Sequence, residues 1–594
     1  MYSDPKSPKK RFIVTFVEFP ATVDGRLDGP QSKDVYSLYR LPSRSCDLLA
    51  AIARKAGYDA EAITPALRPG GRLAEADRER IGASHVVGLS VITRTAPPSY
   101  EAARLIREAN PRAVIIFGGP HVSALPEEAL RYGDIVVLKE GDFTLLEVLE
   151  RLEDSLENPA LEEVSGIAFR KPDGSIVRTA PRPYLTGEEL DSLPFPTYPP
   201  YVRRSITHQS VVTSRGCPHR CEFCAVIQNF GTAYRFLSEE RTVELIEHHL
   251  RQKRTPIFFA DDNFTAKPSR VKRILETCMR RGLHFPRFSC QCRVEAAFDD
   301  ELLAIMKRAG LDTVMVGFES VNDETLRLWK KGTTAEKNRR AIERFHAHGI
   351  CVHGMFVVGS DADTAETVEQ TVNFACKMNL DTAQFFALTP IPGTPLTDSL
   401  EQQGRVLTHQ WHLYDAQHVV IKPQRMSPRE LQEGLARAFH RFYSPKEAFR
   451  RLFFVRGPKR VFNCLIRLVG RRLVNRIIEE TLPHQKNLEK LSGWLNAADA
   501  AREAVKAQVK ALQEGLWGQE GSMRGALDRG YDQLMIGKEK LRAFVEDNLA
   551  PLRVRASAFA DAYRPFCERV LEELKRRLLT EAEAALGTAD GSAE

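Results

Sequence analysis

SRGCPHRCEFCAV, residues 214–226, sets Cys217, Cys221 and Cys224 in a CxxxCxxC array directly behind the apolar run HQSVVT. That run reads as a strand, so the three thiols share one loop at a strand's carboxyl end. Thiolates are soft ligands suited to iron, and iron–sulfur clusters are held by several cysteines, often from one short segment. Three such ligands rather than four leave one iron of a cubane open to bind something else. Two plainer readings stand beside this one. The cysteines could pack as small core residues, or form a zinc site short of its fourth ligand, for which His219 inside the loop is a candidate.

Outward from the loop, residues 206–395 alternate strand and helix. HQSVVTSRG, PIFFADDNF, RFSCQCRV, TVMVGFES, CVHGMFVVG and TAQFFALTP are strand candidates separated by helical spacing. Such βα units predict a partial or full parallel barrel with its chemistry at the strand C-termini. Upstream, RFIVTFVEF, HVVGLSVIT, AVIIFGG and DIVVLKEGD alternate with the helical segments SCDLLAAIARKAGY and SYEAARLIREAN. The pattern predicts a doubly wound, Rossmann-like parallel sheet with its ligand beyond the strands' carboxyl ends. Those ends carry Ser90 and Thr93, then Gly118, Gly119 and His121, then Glu140 and Gly141. The fold class is thus α/β. The expected divisions are 10–160 for the doubly wound domain, 161–205 for a hairpin and proline-rich linker, and 206–425 for the barrel. Residues 426–480 follow as a basic amphipathic segment and 481–594 as an α-helical region.

Composition narrows the class. The chain has 594 residues, 43% hydrophobic and 27% charged, with a net charge of +7. These values fit a multi-domain globular protein, and the mild charge predicts no nucleic-acid partner. No apolar run is long enough to span a bilayer and no secretory signal is visible, so a cytoplasmic location is expected. Eleven cysteines in such a chain argue for spacing rather than for a disulfide scaffold. Residues 441–476 hold eleven lysines and arginines against Glu447 alone, which leaves the remainder at −3. Interleaved aromatics make this stretch a candidate for peripheral contact with anionic lipid at the inner membrane surface, or else a basic helix covering the barrel. Beyond it, Leu488, Leu491 and Leu495 form one helical stripe. Phe559, Tyr563, Phe566, Val570 and Leu574 form another, suited to a bundle, an oligomerisation arm or a partner-binding tail.

CxxxCxxC with an aromatic, Phe223, before the last cysteine resembles the signature of radical S-adenosylmethionine enzymes. The resemblance implies a 4Fe-4S cluster on Cys217, Cys221 and Cys224, whose open iron chelates S-adenosylmethionine. Asp261 and Asp262 in FFADDNF match the segment that meets the methionine amino group. Arg293 in CQCRVEAA matches a position near the carboxylate or ribose, and Glu319 in GFES a ribose-side contact. GMFVVG (354–359) matches the strand near the adenine, although the usual turn after it is replaced by SDADT. The upstream domain resembles the cobalamin-binding domain that precedes many such cores, through GLSVIT, FGGPHVSALPEEAL and KEGD, the last departing from a GEGE-like loop at Lys139 and Asp142. That implies cobalamin bound near Ser90, Thr93, Gly118, Gly119, Glu140 and Gly141. The DxHxxG signature is missing, so no histidine from that motif would ligate cobalt.

The resemblance covers residues 10–425, and ALTPIPGTPLTDSLEQQGRV (387–406) is similar to the closing barrel segment of cobalamin-dependent members that act on lipids or large apolar rings, such as the tetrapyrrole and hopanoid methylases. The resemblance implies C-methylation of an unactivated carbon in a large apolar substrate, with a reducing protein as electron donor. Ring formation or carbon–carbon coupling without methyl transfer is the runner-up, followed by methylthiolation and by a non-enzymatic cobalamin sensor. No catalytic acid or base is assigned.

Overall fold

The structure is a computed structural model, and it describes residues 12–33, 39–156, 159–454 and 459–517. Toward the C-terminus it describes 543, 545–547, 549–550, 552–553 and 563–587.

The N-terminal sheet is built from β1 (Ile13–Val17), β2 (Asp59–Ile63), β3 (Val86–Ser90), β4 (Val114–Gly118), β5 (Ile135–Val137), β6 (Ile167–Arg170) and β7 (Ile176–Arg178), in the order β2-β1-β3-β4-β5-β6-β7. The strands from β2 to β5 are parallel, and the β6–β7 hairpin adds antiparallel at the β5 edge. Helices cover both faces, which is why β3, β4 and β5 read as unbroken apolar runs rather than alternating ones. Helices Arg44–Lys55 and Asp142–Asp154 bury Ala50, Ala53, Val148 and Leu149 against Val14 and Phe16. Helix Ala96–Ala109 buries Tyr100, Ala103 and Ile106 against Val87 and Leu89 on the other side. Strand order reverses between β1 and β3, and such a switch point opens a crevice at the strand C-termini.

The second sheet holds β8 (Gln209–Val211), β11 (Ile257–Phe259), β12 (Phe288–Cys292), β13 (Leu311–Glu319), β14 (Cys351–Val358) and β15 (Thr382–Ala387). All six run parallel in the order β15-β14-β13-β12-β11-β8, a partial barrel. Side chains alternate across its wall. Val314, Val316, Val352 and Phe356 face the surrounding helices, whereas Val212, Phe258, Ala260, Met315 and Met355 gather inside. Tyr39 and Leu41, from the connection after β1, join that inner group and plug the barrel. Between β8 and β11 a two-residue ribbon pairs β9 (Ser214–Arg215) with β10 (Arg235–Phe236) and closes the cysteine segment into a loop.

The C-terminal helices pack on the barrel. Leu488 and Leu491 on helix Lys459–Trp517, and Tyr563, Phe566, Val570 and Leu574 near the chain end, join the main core, so the two apolar stripes are satisfied within the chain. Phe559 lies outside the described residues. His484 donates from Nε2 to Val419 O at 2.8 Å, and its Nδ1 meets Tyr563 Oη at 2.5 Å. In the basic segment, Arg441, Arg450 and Arg467 act as staples, whereas Arg472 and Arg476 are exposed. Arg467, fully buried, donates to Phe442 O and Leu380 O at 3.1 and 2.6 Å, with its guanidinium 4.0 Å above the Phe442 ring. Arg450 reaches Cys376 O at 2.6 Å, and Arg441 lies 3.4 Å from Glu369. Side chains 451–466 lie outside the described residues. Among the described residues no helix is long and apolar enough to cross a membrane.

Candidate functional site

The cysteine loop leaves β8 through Thr213 and Ser214, and a buried carboxylate fixes that departure. Asp261, directly beyond β11, accepts from Thr213 N and Oγ1 at 3.0 Å each and from Ser214 Oγ. Arg270, also buried, donates to Thr213 Oγ1 at 3.2 Å, to Thr242 Oγ1 at 2.8 Å and to Leu237 O at 2.8 Å. Gly216 follows at φ +86, where a Cβ would stand 2.2 Å from Ala233 O, so only glycine fits this bend. Cys221 is buried, and Cys217 and Cys224 are half-buried. Burial pushes Cys221 up and Cys224 to about 12, and the nearby Cys217 raises both further. Lys331 and Arg293 pull Cys221 the other way. Among the described residues no three His, Cys, Asp or Glu side chains converge on a single ion. A cluster does not ask for that, because each cysteine ligates a different iron. The donor set is therefore of the right chemistry for iron–sulfur, while His219, its basicity lowered by burial and Arg293, provides no fourth ligand for zinc.

Several residues expected to meet the cofactor are engaged elsewhere. Asp261 serves the loop rather than an amino group; its Oδ2 is buried without a partner, and burial raises its pKa. Glu319 ends β13 at φ +63, after a register shift in the pairing with β14, and forms an ion pair with Lys331 at 2.6 Å. Arg293 donates to Lys331 O at 2.5 Å and to Glu295 at 3.2 Å. Arg293, Lys331 and Glu319 thus make one charged group beside Cys221. Phe223 packs edge-on against Trp329, 5.2 Å between centroids, and so anchors the loop to the barrel. Asp262 alone of the expected acids stays exposed at the mouth, with burial by surrounding protein and then Asp261 pushing its pKa up to about 6.

At the other edge, Gly118 has open space where a Cβ would be, and Gly119 at φ +111 passes so close to β3 that a Cβ would sit 2.5 Å from Val91 O. Ser90 is half-buried and 3.0 Å from Ser45, and Ile92 beside it is 44% exposed. The open side of Gly118 and the exposed Ile92 leave room for a ligand at the ends of β3 and β4. Thr93 is buried and Gly141 stands against Val137, so neither opens onto the crevice. His121 is buried, its Nε2 3.3 Å from Glu128, and Trp411 donates to the same Glu128 oxygen at 2.9 Å. Through Glu128 and the Trp411 ring, His121 helps tie the two domains together.

Glu140 departs furthest from expectation. It accepts from Arg235 Nη1 at 2.9 and 2.8 Å, from Arg215 at 3.2 Å and from Leu185 N at 2.9 Å. Asp142 takes Arg215 at 2.7 and 2.9 Å. All four side chains are at most 15% exposed. Burial opposes charge on Asp142, yet Arg215 holds its carboxyl below the usual range. Arg215 and Arg235 are the ribbon that closes the cysteine loop, so the loop after β5 grips both of its ends. Arg44, at the end of the β1 connection, reaches Ala260 O at 3.3 Å, and Gly393 beyond β15 packs on Ala124. The carboxyl ends of both sheets therefore face each other across one interface. The arginines escaped sequence reading because their partners lie 73 to 95 positions away.

Both domains have counterparts among known proteins. Residues 211–375 match the radical SAM superfamily and residues 36–149 the B12 binding domain. An uncharacterised methyltransferase of Pyrococcus horikoshii is 30% identical over 395 residues, 64% of this chain and 84% of its own. The anaerobic magnesium-protoporphyrin IX monomethyl ester cyclase of Rubrivivax gelatinosus is 28% identical over 64% of this chain and 70% of its own. In fold, the cobalamin-dependent S-adenosylmethionine radical enzyme OxsB, solved with aqua-cobalamin and S-adenosylmethionine bound, superposes with a TM-score of 0.57 at 16% identity, covering 96% of this chain and 84% of that one.

Proposed function

Since the chain belongs to the cobalamin-dependent radical S-adenosylmethionine methyltransferase family, we propose that it methylates an unactivated carbon of a large, largely apolar, tetrapyrrole- or lipid-like molecule. The observation that carries this reading is the apposition of the two ligand edges, with the cysteine loop latched to the β5 loop by Arg215 and Arg235. When bound, the cluster, S-adenosylmethionine and cobalamin supply radical generation and the methyl group.

The chain's own residues provide position and shielding. Cys217, Cys221 and Cys224 hold the cluster. Asp261 and Arg270 set the loop's departure from β8, and Lys331 and Arg293 place positive charge beside Cys221. Asp262 is the group we assign to S-adenosylmethionine, with Glu319 orienting Lys331. Gly118, Gly119 and Ser90 receive the corrinoid. Burial of the interface between the sheets keeps water from the reacting centre. A reducing protein supplies electrons. For contact of residues 441–476 with a membrane surface the described side chains divide: Arg441, Arg450 and Arg467 are spent on the barrel, while Arg472 and Arg476 stay exposed.

Ring formation is the second reading, favoured by the likeness to the Rubrivivax cyclase. One experiment separates the two: the anaerobic holoenzyme, reduced and given S-adenosylmethionine with a tetrapyrrole or polyprenoid substrate. Methylation yields S-adenosylhomocysteine together with 5′-deoxyadenosine and a product heavier by one methyl group. 5′-Deoxyadenosine without S-adenosylhomocysteine refutes methyl transfer in favour of the cyclase-like reaction.

A further inference from the structure

A relay of hydrogen bonds runs from the barrel wall to the first cysteine of the loop, and each link fixes the direction of the next. Thr265 Oγ1 donates to Asn263 Oδ1 at 3.1 Å. That contact occupies the amide oxygen and turns the amide nitrogen, which can only donate, the other way. Asn263 Nδ2 then donates to Tyr234 Oη at 3.3 Å. A phenol oxygen that accepts a hydrogen bond keeps its own proton for another partner. The neighbour in reach is Cys217 Sγ, 3.8 Å away.

The relay is held rigidly. Thr265 and Asn263 are each 7% exposed. The Tyr234 ring leans on Phe236, 5.6 Å between centroids. Arg235, between those two rings in sequence, is locked to Glu140 and also donates to Leu185 O and Phe230 O at 2.9 and 2.7 Å. Tyr234 thus sits at the latched end of the loop whose other end carries Cys217. Among the described residues the Tyr234 hydroxyl meets Asn263 and Cys217.

We propose that Tyr234, oriented by Asn263 and Thr265, is a positioning residue that donates a hydrogen bond to the Cys217 sulfur and so raises the reduction potential of the cluster, an inference that rests on Cys217 being a cluster ligand. Reduction adds negative charge that spreads over the cluster's sulfurs. A donor aimed at one of them stabilises the reduced state more than the oxidised one, and hydrogen bonding to the sulfurs is among the levers that set such potentials. Tyr234 would thereby lower the demand placed on the electron donor.

The test uses the full chain, reconstituted with iron and sulfide without air, with cluster content measured before anything else. Its readouts are the midpoint potential from a redox titration and the exchangeable-proton couplings of the reduced cluster in electron–nuclear double resonance. Tyr234→Phe keeps the ring and removes the donor. The expected result is full iron content, a more negative potential, and loss of one coupling that in the wild type disappears on exchange into D2O. Thr265→Val leaves the tyrosine in place but frees Asn263 to turn, and its expected shift is smaller and of the same sign. A fully loaded Tyr234→Phe protein with wild-type potential and couplings overturns the proposal. Should Tyr234→Phe not load its cluster, an unshifted potential in Thr265→Val overturns it equally. A wild-type chain that takes up no iron removes both the proposal and the cluster assignment beneath it, an outcome distinct from a loaded cluster that ignores the tyrosine.

Discussion

Arg215→Met tests whether the buried quartet fastens the two domains together. Arg215 is 15% exposed and Asp142 5%, and their two contacts at 2.7 and 2.9 Å form a fork-on-fork pair. Methionine keeps much of the side-chain volume but leaves Asp142 charged and buried with its main partner gone. Breaking a buried pair in this way costs about 3–5 kcal/mol. Arg235 still offers Asp142 some charge compensation and remains bonded to Glu140, which argues for the lower end, about 3 kcal/mol. Asp142→Asn added to Arg215→Met removes the stranded charge, so the double variant should recover about 1.5 kcal/mol or more of that loss. The assay is urea denaturation of wild type, both single variants and the double variant, with the coupling taken from the cycle. Because Arg215 is two residues from Cys217, Arg215→Met should also load less iron than the double variant. Strictly additive effects, with coupling below about 0.5 kcal/mol, would show that the two side chains do not act as a buried pair and would refute the latch.

Glu319→Gln leaves Lys331 charged at 10% exposure and should destabilise the barrel by about 3 kcal/mol in the same denaturation assay; a loss under about 1 kcal/mol would mean the pair is effectively solvated. Gly119→Ala meets both a left-handed φ and Val91 O at 2.5 Å, so it should cost well over 1 kcal/mol and reduce corrinoid retention on gel filtration, while leaving iron content intact. Burial depresses His353 to about 4, against an unfolded value near 6.5, so between those values the unfolded chain binds more protons and stability falls as pH drops. From pH 6.5 to 5 that is about 1.5 kcal/mol, and His353→Gln should lose correspondingly less stability over the same interval in denaturation curves at the two pH values.

Legibility in the sequence followed the range of the interactions. The runs VVGLS and VIIFG announce β3 and β4 because both sheet faces are covered and every residue can be apolar. β2, DAEAI, offers only small or alternating residues at the sheet's edge and gives no comparable signal. Within the site, the cysteine spacing is local and was readable as it stands. The work done by Glu140, Asp261 and Glu319 was not, because a carboxylate near a ligand edge looks the same whether it faces a cofactor or a buried arginine. Their partners are brought in by the fold: Arg235 across the interface between the two sheets, Thr213 from the end of the neighbouring strand β8, and Lys331 from the loop 12 residues beyond Glu319. Tyr234 and Asn263 were hidden for the same reason: no local pattern links a tyrosine after one turn to an asparagine beyond another strand.

The central claim is that one chain holds an iron–sulfur cluster on Cys217, Cys221 and Cys224 and a corrinoid on the sheet that faces it. Its most direct test is iron, sulfide and cobalt analysis of the anaerobically reconstituted wild type beside a variant with all three cysteines changed to alanine. The account predicts about four irons and one cobalt per wild-type chain, and cobalt without iron in the variant. Equal iron in both proteins, or a wild type that retains no cobalt, would contradict it.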